Sequence, residues 1–163
     1  MQTKTLLVAC ALTFLTLAGC DSDPSEFFQP VEIPPPSIIA DSLYSETSTG
    51  LKFYDLQEGT GALSEGGLAV EYHYIMWRSD STLVNSSYLA RIPQVVVLGQ
   101  DGLIPGWAEG LDGMMAGGFR QLLIPPDLAY GETGAQNLGI APNETIIMEL
   151  ALLNVGIPVE PTP

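Results

Sequence analysis

Glycine and proline interrupt this chain at short intervals, which limits the length of any helix or strand. The sequence contains 17 Gly and 13 Pro in 163 residues, and both residue types are unfavourable inside helices. The stretches between them are short and rich in apolar residues that alternate or are β-branched, a pattern typical of strands. Five stretches are predicted as strands: residues 51–56, 70–77, 93–98, 119–124 and 144–155. A bundle of long helices is therefore disfavoured.

One short helix is predicted between the third and the fourth of these strands. Pro105 would lie in its first turn, where the missing N–H costs no hydrogen bond, and Gly117-Gly118 would end it. A short helix packed on the apolar face of a mainly antiparallel sheet is an α+β architecture.

The amino-terminal residues 1–19 are predicted to be a lipoprotein signal peptide. Lys4 precedes an apolar run over residues 6–17. This run is too short to cross the ~30 Å hydrocarbon core of a bilayer and suits a secretory signal peptide. It ends in Leu17-Ala18-Gly19-Cys20, which resembles the bacterial lipobox and implies cleavage before Cys20 and lipidation of its thiol. An ordinary signal peptide or an uncleaved anchor is the alternative.

The two cysteines then have no part in a disulfide. Cys10 would leave with the signal peptide, and Cys20 would carry the lipid. The mature chain would hold neither a thiol nucleophile nor a thiolate metal site. The anchor would place the protein on a membrane of the bacterial cell envelope, with the outer membrane or a periplasmic face favoured.

Three further segments follow the signal peptide. Residues 20–49 form a tether with six acids and no base, whose prolines and like charges favour an extended, solvated spacer. Residues 50–157 form the folded domain, and residues 158–163 form a proline-rich tail. Four apolar side chains of the tether leave docking on the domain or on a partner open: Phe27, Phe28, Ile38 and Ile39.

Charge and side-chain types exclude several classes of function. The formal net charge is −14, from 5 Lys+Arg against 19 Asp+Glu, and nucleic acid is excluded as a partner because phosphate binding needs clustered Lys and Arg. The only histidine, His73, lies inside a predicted strand, where a structural role is favoured. The sequence has no glycine-rich phosphate loop and no metal-ligand spacing of carboxylates, and no cofactor is expected. An enzyme with this sequence would use neither a nucleophile nor a metal.

Aromatic and aliphatic side chains set between glycine turns are the most informative feature. They lie in three stretches: Val70-Glu71-Tyr72-His73-Tyr74, residues 98–110 with Ile104-Pro105-Gly106-Trp107, and residues 124–145 with Ala129-Tyr130-Gly131. In this order and spacing they resemble the FKBP family of peptidyl-prolyl cis-trans isomerases, or rotamases. The resemblance covers about residues 50–155.

The resemblance implies both a fold and a site. The fold would be a half-barrel, a curled antiparallel sheet wrapped around the short helix, with a shallow apolar pocket between the two. Trp107 would form the pocket floor, and the Tyr130 hydroxyl and the Ile104 N–H would bond substrate carbonyls. The walls would be formed by Tyr74, Leu103, Ile104 and Ile140, with Met148 at the position of a usual phenylalanine.

Several site positions depart from the family's pattern. Where the family usually has Phe-Asp before Ser-Ser, this chain has Val84-Asn85, so the usual carboxylate is absent. A pocket phenylalanine is replaced by Gln94, and Met148 makes the pocket less aromatic and more adaptable. We expect weaker catalysis than in a typical member and weak macrolide binding, with residual activity carried by the remaining site residues.

Three functions stay open at this point. The first is an isomerase that assists the folding of extracytoplasmic proteins by binding X-Pro segments of proline-containing polypeptide clients. The second is a catalytically weak FKBP-like chaperone or protein-binding module, which Asn85 and Gln94 favour. The third is a structural surface lipoprotein that recruits partners through its tether. The first is preferred because Trp107 and Tyr130 are both present.

Overall fold

Seven strands in the described part of the chain form one antiparallel sheet. The computed structural model describes residues 31–100 and 102–156. The signal peptide, Cys20, Phe27, Phe28 and the tail of residues 158–163 lie outside these ranges. The strands are β1 (Ser45–Glu46), β2 (Lys52–Gln57), β3 (Ala69–Arg78), β4 (Leu83–Ser86), β5 (Gln94–Val97), β6 (Phe119–Ile124) and β7 (Ile146–Val155). Two short helices accompany them, α1 (Ser87–Ala90) and α2 (Pro105–Leu111).

The sheet has the strand order β1-β2-β6-β7-β3-β4, and β5 also pairs with β3. Because β7 occupies one edge of β3 over nearly its whole length, β4 and β5 share the other edge. The sheet is curled and does not close, and α2 contacts β6. The α+β fold with a curled antiparallel sheet is thereby confirmed.

The five predicted strands are all present, with ends that differ by no more than two residues from the predicted ones. β6 has the predicted bounds, residues 119–124. The sequence did not predict β1, β4 or α1. These elements have two to four residues each, which is too short for a periodic pattern to be recognised.

α2 is shorter than predicted, because it ends at Leu111 rather than at Gly117-Gly118. Asp112 already has an extended backbone with ψ 136°, and Gly113 has φ +75°. The second value is a left-handed conformation that glycine adopts without strain. The chain therefore leaves the helix as soon as this turn begins.

Two glycines bring α2 very close to the sheet. A Cβ at Gly106 would lie 2.3 Å from Cγ2 of Ile124, and a Cβ at Gly110 would lie 2.2 Å from Cδ1 of Leu122. Residues four apart share one face of a helix, so both glycines face β6. We call the side of the sheet that carries α2 the inner face and the opposite side the outer face.

Residues 36–44, which we call the strap, lie on the outer face and lead into β1. The Ser37 N–H donates to Oε1 of Glu149 at 2.8 Å, and Nε2 of Gln121 donates to the Ser37 carbonyl at 2.9 Å. Tyr44 donates to Gln121, and β1 pairs with β2. Composition favours a solvated spacer for residues 20–49. The structure differs from this prediction over the strap, because the strap is hydrogen-bonded to the sheet.

Of the four apolar side chains that left docking open, the structure describes Ile38 and Ile39. Ile38 is 102% exposed and has no part in docking, whereas Ile39 is half-buried. Composition gives charge and proline content. The docking of the strap depends instead on the buried side chains of Gln121 and Glu149, which are far from the strap in sequence. The described residues 31–100 and 102–156 accordingly belong to one compact unit. Within the described ranges, no helix has the length and apolar character that crossing a bilayer requires.

Candidate active site

An aromatic cluster joins β3 to α2 on the inner face. The ring centroids of Tyr74 and Trp107 are 4.6 Å apart at an interplanar angle of 61°, and those of Tyr72 and Trp107 are 6.0 Å apart at 77°. Edge-to-face pairs of this kind stabilise beyond the burial of their area. Tyr72 is fully buried, whereas Tyr74 and Trp107 keep some exposed surface. Among the described residues, Nε1 of Trp107 is buried without a hydrogen-bond partner.

Tyr74 lies at a gap along one edge of β3. β5 pairs with β3 as far as Tyr72, and β4 pairs from Ile75 onward, so neither strand reaches Tyr74. Instead, the Ser87 hydroxyl accepts from the Tyr74 N–H at 2.9 Å, and the Ser86 hydroxyl donates to the Tyr74 carbonyl at 3.2 Å. Two buried serines thus satisfy the backbone groups that a neighbouring strand would otherwise bond.

His73 has a structural role in the same region. Its Nδ1 lies 2.9 Å from the Ser87 hydroxyl, and its ring stacks on Tyr88 with centroids 4.4 Å apart. Successive side chains of a strand point to opposite faces, so His73 points away from the face that carries Tyr74. This arrangement agrees with the structural role favoured from the sequence.

Tyr130 reaches the site from the loop between β6 and β7. Pro125 and Pro126 end β6, and the 3₁₀ turn Pro126–Leu128 leads into Tyr130, whose side chain packs on the core. Burial raises the pKa of the Tyr130 hydroxyl, and burial followed by the proximity of Tyr130 raises the pKa of the Tyr74 hydroxyl. Both hydroxyls are therefore protonated donors in neutral solution.

Glu144 fastens the carboxyl end of the loop that carries Tyr130. Its Oε2 accepts from the Ala141 N–H at 2.7 Å, and its Oε1 accepts from Nε of Arg78 at 3.0 Å. The Ala141 hydrogen bond, ahead of the contribution from Arg78, lowers the pKa of the Glu144 carboxyl. The loop is thus tied to the end of β3, the strand on which Tyr74 lies.

Ile104 and Leu103 lie at the entrance to α2. The Ile104 carbonyl accepts from the N–H groups of Trp107 at 3.0 Å and Ala108 at 3.2 Å, and Pro105 takes the first helical position. Both Leu103 and Ile104 are half-buried and pack on the core. Both residues therefore lie just before the first turn of α2, which carries Trp107.

Val84, Asn85 and Gln94 lie on the two strands that flank Tyr74. Gln94 of β5 pairs with Tyr72, and Asn85 of β4 pairs with Met76. Directly paired residues share a face of the sheet, so both carboxamides project on the inner face, and both are exposed. Val84 lies at a bulge between the pairs of β4 and packs on the core.

Ile140 and Met148 are more deeply buried than the wall of an open pocket. Ile140 is 2% exposed and Met148 is 0% exposed. Met148 pairs with Met76 and Leu122 in the middle of the sheet. The two residues therefore belong to the hydrophobic core on which the exposed site residues pack, and they do not form an open wall. A sequence motif does not reveal such burial, because the burial results from packing between segments that are distant in sequence.

Arg120 is a positioning residue that sequence reasoning missed. Its Nη1 donates to the Gly110 carbonyl at the end of α2 at 3.1 Å, and its Nε and Nη2 donate to the Asp55 carboxylate at 2.6 and 3.0 Å. Its guanidinium also lies 4.5 Å from the centroid of the Phe53 ring. The only signal in the sequence is an arginine at an inward position of a predicted strand.

Two cavities lie away from the predicted site residues. One of about 290 Å³ opens beside Asp55, Met115 and Arg120, and one of about 260 Å³ lies between the strap and the outer face beside Leu123. No predicted site residue lines either cavity. The candidate site is instead the aromatic cluster of Tyr72, Tyr74 and Trp107, together with the predicted site residues around its exposed edge. In the part of the chain that the structure describes, no group of three His, Cys, Asp or Glu residues is placed to hold a metal ion.

Comparisons with known proteins point to one family. The family profile of FKBP-type peptidyl-prolyl cis-trans isomerase matches residues 61–153. An FK506-binding protein from Neisseria meningitidis serogroup B is 42% identical over 106 residues, which are 65% of this chain and 96% of that protein. The FKBP-type peptidyl-prolyl cis-trans isomerase FkpA from Escherichia coli K12 is 38% identical over 109 residues, which are 67% of this chain and only 39% of FkpA. A crystal structure of a peptidyl-prolyl cis-trans isomerase from Pseudomonas syringae pv. tomato matches with a TM-score of 0.64 at 31% identity, covering 72% of this chain and 84% of the other.

Proposed function

The chain belongs to the family of FKBP-type peptidyl-prolyl cis-trans isomerases and is such an isomerase, and from this premise we propose that it assists the folding of extracytoplasmic proteins by binding their X-Pro segments at the aromatic cluster. The observation that carries the proposal is the 4.6 Å contact of Tyr74 with Trp107, beside the protonated hydroxyl of Tyr130. Together they offer an apolar, uncharged surface with fixed hydrogen-bond donors. Rotation about an X-Pro bond suits such a surface, because no covalent bond breaks.

The proposed mechanism is preferential binding of the twisted amide. The barrier to rotation is ~18–20 kcal/mol because the amide C–N bond has partial double-bond character. The twisted transition state has less charge separation than the planar amide, so an apolar surface disfavours the planar form relative to it. Trp107 would receive the proline ring, while the Tyr130 hydroxyl and the Ile104 N–H would bond flanking carbonyls and favour a turn.

The departures from the family's pattern predict reduced catalysis. Asn85 offers a hydrogen bond without a charge, and Gln94 puts a polar group at an aromatic position. A change at one wall of a site can raise a barrier by about 1–3 kcal/mol, or lower a rate about ten- to a hundredfold. We therefore propose an isomerase that is active but slower than a typical member.

The decisive test is a protease-coupled isomerisation assay on the full chain. Tyr130→Phe removes one hydroxyl and should lower kcat/KM roughly fivefold to tenfold, the loss of about one hydrogen bond. Tyr54→Phe is the matched control, because Tyr54 pairs with Gln121 on the outer face, and it should leave kcat/KM unchanged. A wild-type rate no faster than buffer would contradict the catalytic proposal.

A protein-binding module is the second candidate, and the exposure of Asn85 and Gln94 favours it. Both side chains present uncharged amides on the rim of the site, which suits capture of a polypeptide backbone. Its signature would be binding of a proline-containing peptide by a wild-type chain that shows no catalysis.

We further propose that the chain is fastened to an envelope membrane through Cys20. This proposal rests on the lipobox-like sequence alone, since residues 1–30 lie outside the described ranges. Cys20→Ser should move the protein from the membrane fraction to the soluble fraction, whereas Cys10→Ser should leave it in the membrane fraction. Retention of the Cys20→Ser chain in the membrane would contradict the anchor.

A further inference from the structure

Asn85 and Gln94 occupy matching positions on either side of Tyr74. Gln94 pairs with Tyr72, and Asn85 pairs with Met76. These two positions of β3 are four residues apart, or about 13 Å at the usual rise of a strand. Tyr74 lies midway between them, where it contacts Trp107. The two amides therefore stand at the two ends of the surface that would receive a proline.

Both carboxamides keep unused hydrogen-bonding capacity. Oδ1 of Asn85 accepts from the Ser86 N–H at 2.7 Å. This bond identifies the amide oxygen and leaves the two donors of Nδ2 without a partner among the described residues. The side chain of Gln94 makes no hydrogen bond within the described ranges, so it offers a donor and an acceptor. Each amide can thus pair with a backbone N–H or C=O of a second chain.

We propose that Asn85 and Gln94 form a carboxamide bracket that holds the backbone of a client polypeptide on both sides of its proline, while the proline itself lies between the two amides. The inference rests on the proposed function and deepens it by stating which substrates the site prefers. Amides recognise the backbone in the way that a neighbouring strand does, so the side chains of the client matter little. The bracket therefore predicts that the site prefers clients with several residues on both sides of the proline, whatever the sequence of those residues.

The bracket also has an electrostatic consequence. Neither amide carries a charge, whereas the chain as a whole has a formal net charge of −14. Hydrogen bonds between uncharged groups are little affected by salt, in contrast to pairs of exposed charges. The gain from a longer client should therefore persist for uncharged peptides at high ionic strength.

The test compares two uncharged substrates that share one X-Pro bond. One is a blocked X-Pro dipeptide, and the other is a blocked ten-residue peptide with the same X-Pro bond at its centre. Isomerisation is measured by NMR exchange with the full chain as wild type, Gln94→Met, Asn85→Leu and the double variant. The ratio of kcat/KM for the long peptide to kcat/KM for the short one should fall roughly three- to tenfold in the double variant, mainly through KM. Gln100→Met, an exposed glutamine outside the site, should leave the ratio unchanged.

The outcomes separate the bracket from the proposed function. An unchanged ratio in the double variant overturns the bracket, whether or not both rates fall together, and leaves the isomerase proposal standing. A wild-type chain that is inactive on both peptides overturns the proposed function instead. Binding of the ten-residue peptide, followed by NMR titration, then decides the bracket, because weaker binding by the double variant supports it and equal binding refutes it.

Discussion

The indole ring of Trp107 and the phenol ring of Tyr74 meet edge to face with their centroids 4.6 Å apart, although one lies on α2 and the other on β3. The contact depends on supports from both sides. Two serine hydroxyls bond the backbone of Tyr74, and Gly106 and Gly110 let α2 approach the sheet. The surface proposed to receive a proline ring is therefore held rigidly by the fold.

The two tryptophans of the chain give a matched test of this surface. Trp107→Phe shortens the floor beneath the proline, so we expect kcat/KM to fall roughly tenfold while the free energy of unfolding falls by only about 1 kcal/mol. Trp77→Phe is the control, because Trp77 is 1% exposed and away from the site. It should cost about 1–3 kcal/mol of stability and leave kcat/KM of the folded protein unchanged. The peptide assay and urea denaturation measure the two effects, and wild-type kcat/KM in Trp107→Phe would refute the assigned floor.

Gly110→Ala tests the close seating of α2. The new Cβ would lie 2.2 Å from Cδ1 and 2.8 Å from Cδ2 of Leu122, a core side chain that is 0% exposed and would have to shift. We expect a loss of about 1–3 kcal/mol from overpacking, which outweighs the ~1 kcal/mol that alanine contributes to helix propensity. Gly66→Ala is the control, because a Cβ there meets nothing within 4 Å, and its effect should stay within about 0.5 kcal/mol. Equal stabilities of the two variants by urea denaturation would show that α2 can shift.

Local signals in the sequence predicted the main elements of this fold. β6 has the predicted bounds because Pro125-Pro126 must end a strand, and α2 begins at Pro105 because proline suits the first helical turn. The resemblance to a family then supplied the curled antiparallel sheet around the helix, whereas the order and register of the strands were not predicted. The start of the helix in turn fixes the positions of Ile104, which precedes it, and of Trp107 in its first turn.

Features that depend on tertiary contacts were missed. Ser86 and Ser87 fill a gap in the sheet, and neither serine differs in sequence from one in an ordinary turn. Met148 is fully buried in the middle of the sheet, between Met76 and Leu122 of the two neighbouring strands. The strap docks because Gln121 and Glu149 lie side by side on two paired strands that are far apart in sequence. In each case the cause is a contact between segments that are far apart along the chain.

The rate of isomerisation should be independent of pH across the neutral range. Raised pKa values keep the hydroxyls of Tyr74 and Tyr130 protonated, so these donors would be lost only above the ordinary tyrosine value of about 10. We expect kcat/KM to stay constant within about twofold between about pH 6 and pH 9. Tyr130→Phe should give an equally flat profile at a lower level. A step within this pH range in the wild type would contradict the proposed uncharged site.

The strap should be held mainly by the clamp on Ser37, whose N–H and carbonyl both bond buried side chains of the sheet. Glu149→Ala removes the acceptor, so the Ser37 amide should exchange with solvent at least about tenfold faster, and the free energy of unfolding should fall by about 1–2 kcal/mol. Glu71→Ala is the matched control, because Glu71 bonds Asn154 instead, and it should leave the exchange of Ser37 unchanged. Hydrogen exchange followed by NMR measures both. Because the strap lies on the outer face and the aromatic cluster on the inner face, kcat/KM for a blocked X-Pro dipeptide should be the same in Glu149→Ala as in the wild type. A parallel loss of protection and of activity would show instead that the strap and the site are coupled through β7, the strand that carries Glu149 and pairs with Tyr74 through Leu150.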